Sequence, residues 1–162
     1  MKKTPAFYTL LLALAAVSLV GLLLVPDTGE LALLDAALGT ILLALVAVML
    51  AKPLIQGLRE KRLAGLFPIL AALVIVGGLA AMNTVDIAKD LAAGPQRLRL
   101  SDIRVEKRAT LKGVFSQRYY LTGETPDGNS HRILISPKQY AAAQEGDTMN
   151  VLCYENIGRS AD

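Results

Sequence analysis

The stretch KPLIQGLREKR, residues 52–62, is a charged interruption between two long apolar runs. It carries four basic side chains, those of Lys52, Arg59, Lys61 and Arg62. Apolar runs separated by a short basic stretch are typical of membrane-spanning helices joined by a loop. Residues 52–62 are therefore predicted to form such a loop, and their charge indicates the side of the membrane on which it lies.

Three apolar runs surround this loop in the sequence, at about 6–25, 31–51 and 63–82. The first and third carry no charged residue, and the second carries only Asp35. A bilayer core of ~30 Å needs about 20 helical residues at ~1.5 Å each. The chain of 162 residues is 53% hydrophobic with a mean hydropathy of +0.44, and the apolar excess lies in residues 6–82. We therefore predict three transmembrane helices.

The first run also has features of a signal peptide, because Lys2 and Lys3 precede it. The apolar core of a signal peptide is about 7–15 residues long and ends at a cleavage site of small residues. This run is longer, and it ends at Leu24-Val25-Pro26-Asp27. We interpret it as a retained span.

Basic residues in short loops indicate the cytoplasmic side of a membrane. The N-terminus has two, the first loop at 26–30 has two acids and no basic residue, and the loop at 52–62 has four basic residues. This pattern predicts a cytoplasmic N-terminus and, after three spans, an extracytoplasmic C-terminal domain of a multi-pass cell membrane protein. Lys89, Arg97 and Arg99 follow the third span and favour the opposite orientation.

Asp35 is the one ionisable residue within a predicted span, about 6 Å from its start at Leu31. It is either an interfacial or capping side chain or a functional polar site that contacts a partner helix or an ion. Small residues at helical spacing mark a candidate packing face, which serves the three spans themselves or an oligomer. The members of this face are Ala36, Thr40, Ala44, Ala47, Ala51, Gly77 and Ala81.

The third helix is predicted to extend to about residue 93, because Gly94-Pro95 is a strong helix-breaking pair. Residues 1–93 then form the membrane region, and 94–162 form a small, mainly antiparallel β domain. Alternating apolar residues predict four or five strands, and Ser136-Pro137 predicts the start of one short helix. The predicted fold is an α+β membrane protein whose β domain resembles a barrel or a sandwich.

The β domain shows little sign of catalytic chemistry. His131 is the only histidine and Cys153 the only cysteine, so we expect no metal site, no cofactor and no catalytic residues. A formal net charge of +3 is too small to indicate a nucleic-acid partner.

A basic stretch directly follows the membrane region and is a candidate surface for lipid headgroups or for an acidic partner. Its basic residues are Arg97, Arg99, Arg104, Lys107, Arg108 and Lys112. The alternative is an ordinary polar strand face in water.

Together these features predict a non-enzymatic accessory, structural or sensing subunit of a larger membrane assembly. Its expected partners are membrane lipids and either other membrane subunits or further copies of itself. The alternative hypothesis is a homo-oligomeric channel or transporter component with an acidic mouth near Asp35.

Overall fold

A computed structural model describes residues 4–60, 65–110 and 117–162, with side chains from residue 8 onward. The chain divides into two compact units, residues 1–22 with 37–85 and residues 23–36 with 86–162. Three long helices come first: α1 (Thr4–Leu24), α2 (Ala32–Arg59) and α3 (Leu66–Ala93).

Helices α2 and α3 have 28 residues each and are long and apolar enough to cross a membrane, and a shorter apolar helix lies at Tyr8–Leu24. Their apolar side chains are widely exposed, as at Val17 (68%), Val74 (65%) and Ile75 (61%). By length and composition, the described helices thus include two candidates for spans.

Helix α2 extends further than the sequence pattern predicts. It continues through Arg59 and contains Pro53, so the predicted loop at 52–62 is helical over its first eight residues. Lys61 and Arg62 lie outside the described residues. Charged side chains end a hydrophobic run without ending a helix, because Lys and Arg are themselves good helix formers.

Within the first unit, α1 and α2 contact each other near both ends. A Cβ built on Gly21 would lie 2.9 Å from Cδ1 of Leu38, so glycine permits a close approach there. Near the other end, Nζ of Lys52 lies 4.0 Å from the ring centroid of Tyr8. Because the end of α1 contacts the start of α2, and the start of α1 contacts the later part of α2, the two helices are antiparallel.

The second unit contains a closed five-stranded barrel. Its strands are β1 (Gln96–Ala109), β2 (Gln117–Glu124), β3 (Ser130–Ile135), β4 (Met149–Tyr154) and β5 (Arg159–Ser160). Their order around the barrel is β1-β2-β3-β5-β4. All pairings are antiparallel except that of β3 with β5, which is parallel.

The barrel interior follows from the alternation of apolar residues along the strands. Its core consists of Leu100, Ile103, Leu121, Ile133, Ile135, Val151 and Cys153, each at most 2% exposed. A bulge between Ser101 and Arg104, with Asp102 at φ +47°, shifts the alternation so that both Leu100 and Ile103 point inward.

A short helix, α4 (Pro137–Ala142), connects β3 to β4. Ser136 caps it, as the Ser136-Pro137 pair predicts. The backbone N–H of Ser136 also donates to Oε1 of Gln139, which completes a capping box. The predicted combination of helices with a small β barrel is confirmed. Its strand order, with a helix between β3 and β4, is the connectivity of an OB-fold, which by itself assigns no function.

Candidate functional site

The β4–β5 turn, residues 155–158, is held by a buried carboxylate from the end of α3. Asp90 is 1% exposed and accepts hydrogen bonds from the backbone N–H of Asn156 (3.0 Å), from Nδ2 of Asn156 (2.7 Å) and from the backbone N–H of Ile157 (2.8 Å). An acid in the last turn of a helix meets the negative end of the helix dipole. The three donors offset both this repulsion and the loss of water.

A second buried carboxylate holds β5 from the start of α2. Asp35 is 1% exposed and accepts a charge-assisted hydrogen bond from Nη1 of Arg159, which also donates to the carbonyl of Ala32 (3.3 Å). Nearby, the backbone N–H of Gly29 donates to the carbonyl of Ser160 at 2.9 Å. We call Asp35, Asp90, Asn156, Ile157 and Arg159 the aspartate clamp.

The loop between α1 and α2 is also bonded to the barrel through Asp27. Nε of Arg118 on β2 donates to Oδ2 of Asp27 at 2.8 Å, and both side chains are partly buried. Burial lowers the pKa of Arg118, but the hydrogen bond and negative charge of Asp27 outweigh that effect and hold the pKa above its ordinary value.

A mainly apolar groove of about 300 Å³ adjoins this ion pair. It is lined by residues 23–28, by the first residues of β2 and by Leu134, Ile135 and Pro137. A larger, more polar depression of about 510 Å³ lies beside Arg97, residues 150–152 and Asp162.

The outer surface of the first three strands carries a network of charged and aromatic side chains, which we call the arginine face: Glu106, Arg108, Arg118, Tyr120 and Arg132. The Arg132 guanidinium lies 4.1 Å from the ring centroid of Tyr120, and its Nη2 donates to Glu106 at 2.8 Å. Nε of Arg108 donates to the other oxygen of Glu106. These two arginines lower the pKa of Glu106, with the Arg108 hydrogen bond as the largest cause.

The predicted basic residues fall into two groups on β1. Arg97, Arg99, Arg104 and Arg108 are exposed and alternate, across the bulge, with core-facing apolar residues. Nζ of Lys107 instead lies 5.9 Å from the Tyr119 ring centroid, and Lys112 is outside the described residues. The basic stretch thus places four arginines on the outer surface of one strand.

The side chains of the predicted small-residue face are only partly buried. Thr40 is 9% exposed; Ala36, Ala47 and Ala51 are half-buried; and Ala44 is exposed. On α3, Ala81 is exposed and a Cβ added to Gly77 would meet no atom within 4 Å. The close helix contact at Gly21 and Leu38 was not predicted, and the role of the small-residue face in packing or oligomers stays a prediction.

Nucleophilic and metal-binding groups are sparse where the structure describes the chain. No group of three or more His, Cys, Asp or Glu side chains is placed there to hold a metal ion. Cys153 lies in the barrel core, and burial, followed by the charges of Glu155 and Asp90, raises its pKa to about 11. Its thiol is therefore protonated at neutral pH and a poor nucleophile.

The comparisons with known proteins add no family. No protein-family model matches the chain, and neither the curated proteins nor the solved structures contain a significant match. Function must therefore be inferred from the residues themselves.

The sequence pattern predicted Asp35 as a polar site but missed its partner and the second half of the clamp. Arg159 is 124 residues from Asp35, and Asn156 is 66 residues from Asp90. One local signal was available for Asp90: it is an acid one turn before the Gly94-Pro95 helix stop, where the helix dipole disfavours negative charge.

Proposed function

We propose that this chain is a cell membrane protein with three spans, a cytoplasmic N-terminus and an extracytoplasmic barrel. In this proposal it is a non-enzymatic accessory subunit of a larger membrane assembly, and the barrel makes the protein contacts. The observation that supports the proposal most is the aspartate clamp.

The clamp matches the topology that two consecutive spans require. Helix α2 begins at Ala32 and α3 ends at Ala93, so two helices that cross a bilayer return the chain to the side where α2 began. Asp35 lies in the first turn of α2 and Asp90 in the last turn of α3, and both bind the same segment of the barrel. The first loop and the barrel therefore belong on one side.

The opposite end of α2 supports the orientation. Lys52 and Arg59 lie in its last two turns, and basic residues favour the cytoplasmic side. Tyr8 of α1 contacts Lys52, so the early part of α1 lies at the basic end of α2. Tyrosine is enriched at membrane–water interfaces, which suits this position. Helix α1 then crosses from the cytoplasm to the first loop.

The accessory role follows from how firmly the barrel is attached to the helix ends. The Asp35–Arg159 and Asp27–Arg118 ion pairs and the bonds to Asp90 tie the barrel to the first loop, to the start of α2 and to the end of α3. Such bonds limit rotation of the barrel about the short 94–95 connection and hold it against the other segments of the second unit.

The channel alternative receives less support from the same contacts. A conduction pathway lined by acids needs carboxylates that face water or permeating ions. Asp35 is buried against Arg159, and Asp27 is paired with Arg118. Both carboxylates contribute to intramolecular bonds, and we favour the accessory role.

The test is crosslinking with an amine-reactive reagent in intact membranes at native expression, followed by mass spectrometry. Lys107 and Lys138 are exposed amines of the barrel unit and are the reporting positions. We expect reproducible crosslinks from these lysines to a second membrane polypeptide. A chain that forms no intermolecular crosslinks, and that migrates as a monomer after mild solubilisation, would contradict the accessory role.

A further inference from the structure

We infer that the arginine face is a docking surface for an acidic segment of a partner protein. This inference deepens the proposed accessory function and rests on it, because it names the chemistry of the partner. It follows from the geometry of Arg108, Tyr120 and Arg132 around Glu106.

The arginine face is an ordered array on adjacent strands. Glu106 is the cross-strand neighbour of Tyr120, and Arg108 is the neighbour of Arg118. Arg132 stacks on Tyr120 and donates a hydrogen bond to Glu106, which also accepts a hydrogen bond from Arg108. The Arg108, Arg132 and Glu106 side chains remain 58%, 43% and 46% exposed. Long side chains that are already oriented lose less conformational freedom when a partner binds.

The contacts of Glu106 show that this array accepts carboxylates. A guanidinium has five N–H donors in a planar fork that fits carboxylate oxygens. The bond from Arg108 to Glu106 uses Nε, and the Arg108 side chain is largely exposed, so its Nη groups can donate to a second carboxylate.

An acidic segment of this chain already docks on the same face. Asp27 lies in the short loop after α1, and its carboxylate is bonded to Arg118 on the outer side of β2. Arg108 is directly opposite Arg118 on the neighbouring strand. The surface around Arg108, Tyr120 and Arg132 therefore continues an existing acid–arginine interface, and an acidic segment of a partner would extend it.

The charge pattern favours a protein over a polyanion. Glu106 and Asp27 lie among the arginines, and they would repel the closely spaced phosphates of a nucleic acid. A protein segment with a few spaced carboxylates can avoid these acids and place a carboxylate against Arg108 or against Arg132, which Tyr120 holds in position. Tyrosine and arginine are the side chains most enriched among energetically dominant interface residues, together with tryptophan.

The test measures binding of a fluorescein-labelled heptapeptide, with glutamate at its first, fourth and seventh positions and alanine elsewhere, to the detergent-purified full-length protein by fluorescence anisotropy at low ionic strength. We expect saturable binding that weakens at least about ten-fold in an R108Q/R132Q variant, as loss of dominant interface residues does. The matched control is R97Q/R99Q, which removes the same amount of charge from the outer surface of β1 away from the arginine face, and its affinity should stay within about two-fold of wild type. Tyr120→Ala should weaken binding, whereas Tyr120→Phe should retain it.

Three outcomes would overturn the inference. They are absence of saturable binding by the wild type, equal weakening by the two double variants, and displacement of the peptide by soluble short-chain phosphatidylglycerol at a lower concentration than by the unlabelled heptapeptide. Far-ultraviolet circular dichroism of each variant shows whether it is folded, and Y120F and R97Q/R99Q keep the test interpretable if one variant unfolds. This assay requires no membrane partner, so its failure is distinguishable from a failure of the crosslinking experiment.

Discussion

Replacing Asp90 with alanine should open the β4–β5 turn without unfolding the whole chain. The carboxylate is 1% exposed and accepts three hydrogen bonds, two of them from the backbone of Asn156 and Ile157. A hydrogen bond to a charged group contributes ~1.5–3 kcal/mol, and the three bonds are not additive. We therefore expect the free energy of local opening at residues 156–157 to fall by about 3 kcal/mol.

Amide hydrogen exchange measures this change directly. Each 1.4 kcal/mol corresponds to about a ten-fold change in an equilibrium constant, so exchange of the Asn156 and Ile157 amides should accelerate about a hundred-fold. The measurement is hydrogen–deuterium exchange with mass spectrometry on the full-length protein in detergent, followed on peptides that cover residues 154–160. Asp90→Asn, which keeps one carbonyl oxygen but places an amide against a donor, should give an intermediate rate.

The matched control is Asp86→Ala, which removes an acid from the same helix one turn earlier. Asp86 is half-buried, and its replacement should change exchange at residues 154–160 by no more than about two-fold, as substitutions away from buried networks do. If Asp90→Ala left the exchange of Asn156 and Ile157 at the wild-type rate, the clamp would not stabilise this turn and our reasoning would be wrong.

Three further predictions concern the barrel and its attachment. Arg159→Met should lower the unfolding free energy by ~3 kcal/mol, because Asp35 is left buried without this cation. Adding Asp35→Leu should recover most of this loss, which a double-mutant cycle measured by thermal unfolding would show. Gly123→Ala should cost about 1–3 kcal/mol in the same assay, since its Cβ would lie 2.9 Å from Cβ of Leu100; wild-type stability would refute the packing there. Cys153 should resist maleimide at pH 8 until urea unfolds the barrel, and rapid labelling of the native protein would place the thiol outside the core. Because its folded pKa of about 11 exceeds the ordinary 9.0, the contribution of this thiol to stability should be constant below pH 9 and should fall between pH 9 and 11.

Local chemistry explains why two helix boundaries, the end of α3 and the start of α4, were predictable. Ser136-Pro137 supplies both a capping hydroxyl and a first-turn proline, and the structure begins α4 there. Gly94-Pro95 ends α3 because glycine adopts φ +70° and proline cannot continue the helix. In such positions a few neighbouring residues determine the backbone.

The remaining features depend on residues far apart in the chain. Strand β5 has only two residues, Arg159 and Ser160, which is too short for an alternating pattern to show. Its place between β3 and β4 is held by Asp35 and by the backbone of Gly29, both more than 120 residues earlier. No local pattern encodes such pairings. Helix α2 continues past the predicted span for another reason: hydropathy indicates where an apolar run ends, whereas the helix continues through its charged residues to Arg59.

The central claim is that the first loop and the barrel share the external side of a membrane, with the basic end of α2 inside. Its most direct test is labelling of single cysteines by a membrane-impermeant maleimide in intact cells, in a Cys153→Ala background. Glu30→Cys in the first loop and Ser130→Cys in the barrel are at exposed positions, and Glu60→Cys lies just after α2. The account predicts that E30C and S130C react in intact cells and that E60C reacts only after lysis. Protection of S130C until lysis, or opposite behaviour of E30C and S130C, would contradict it.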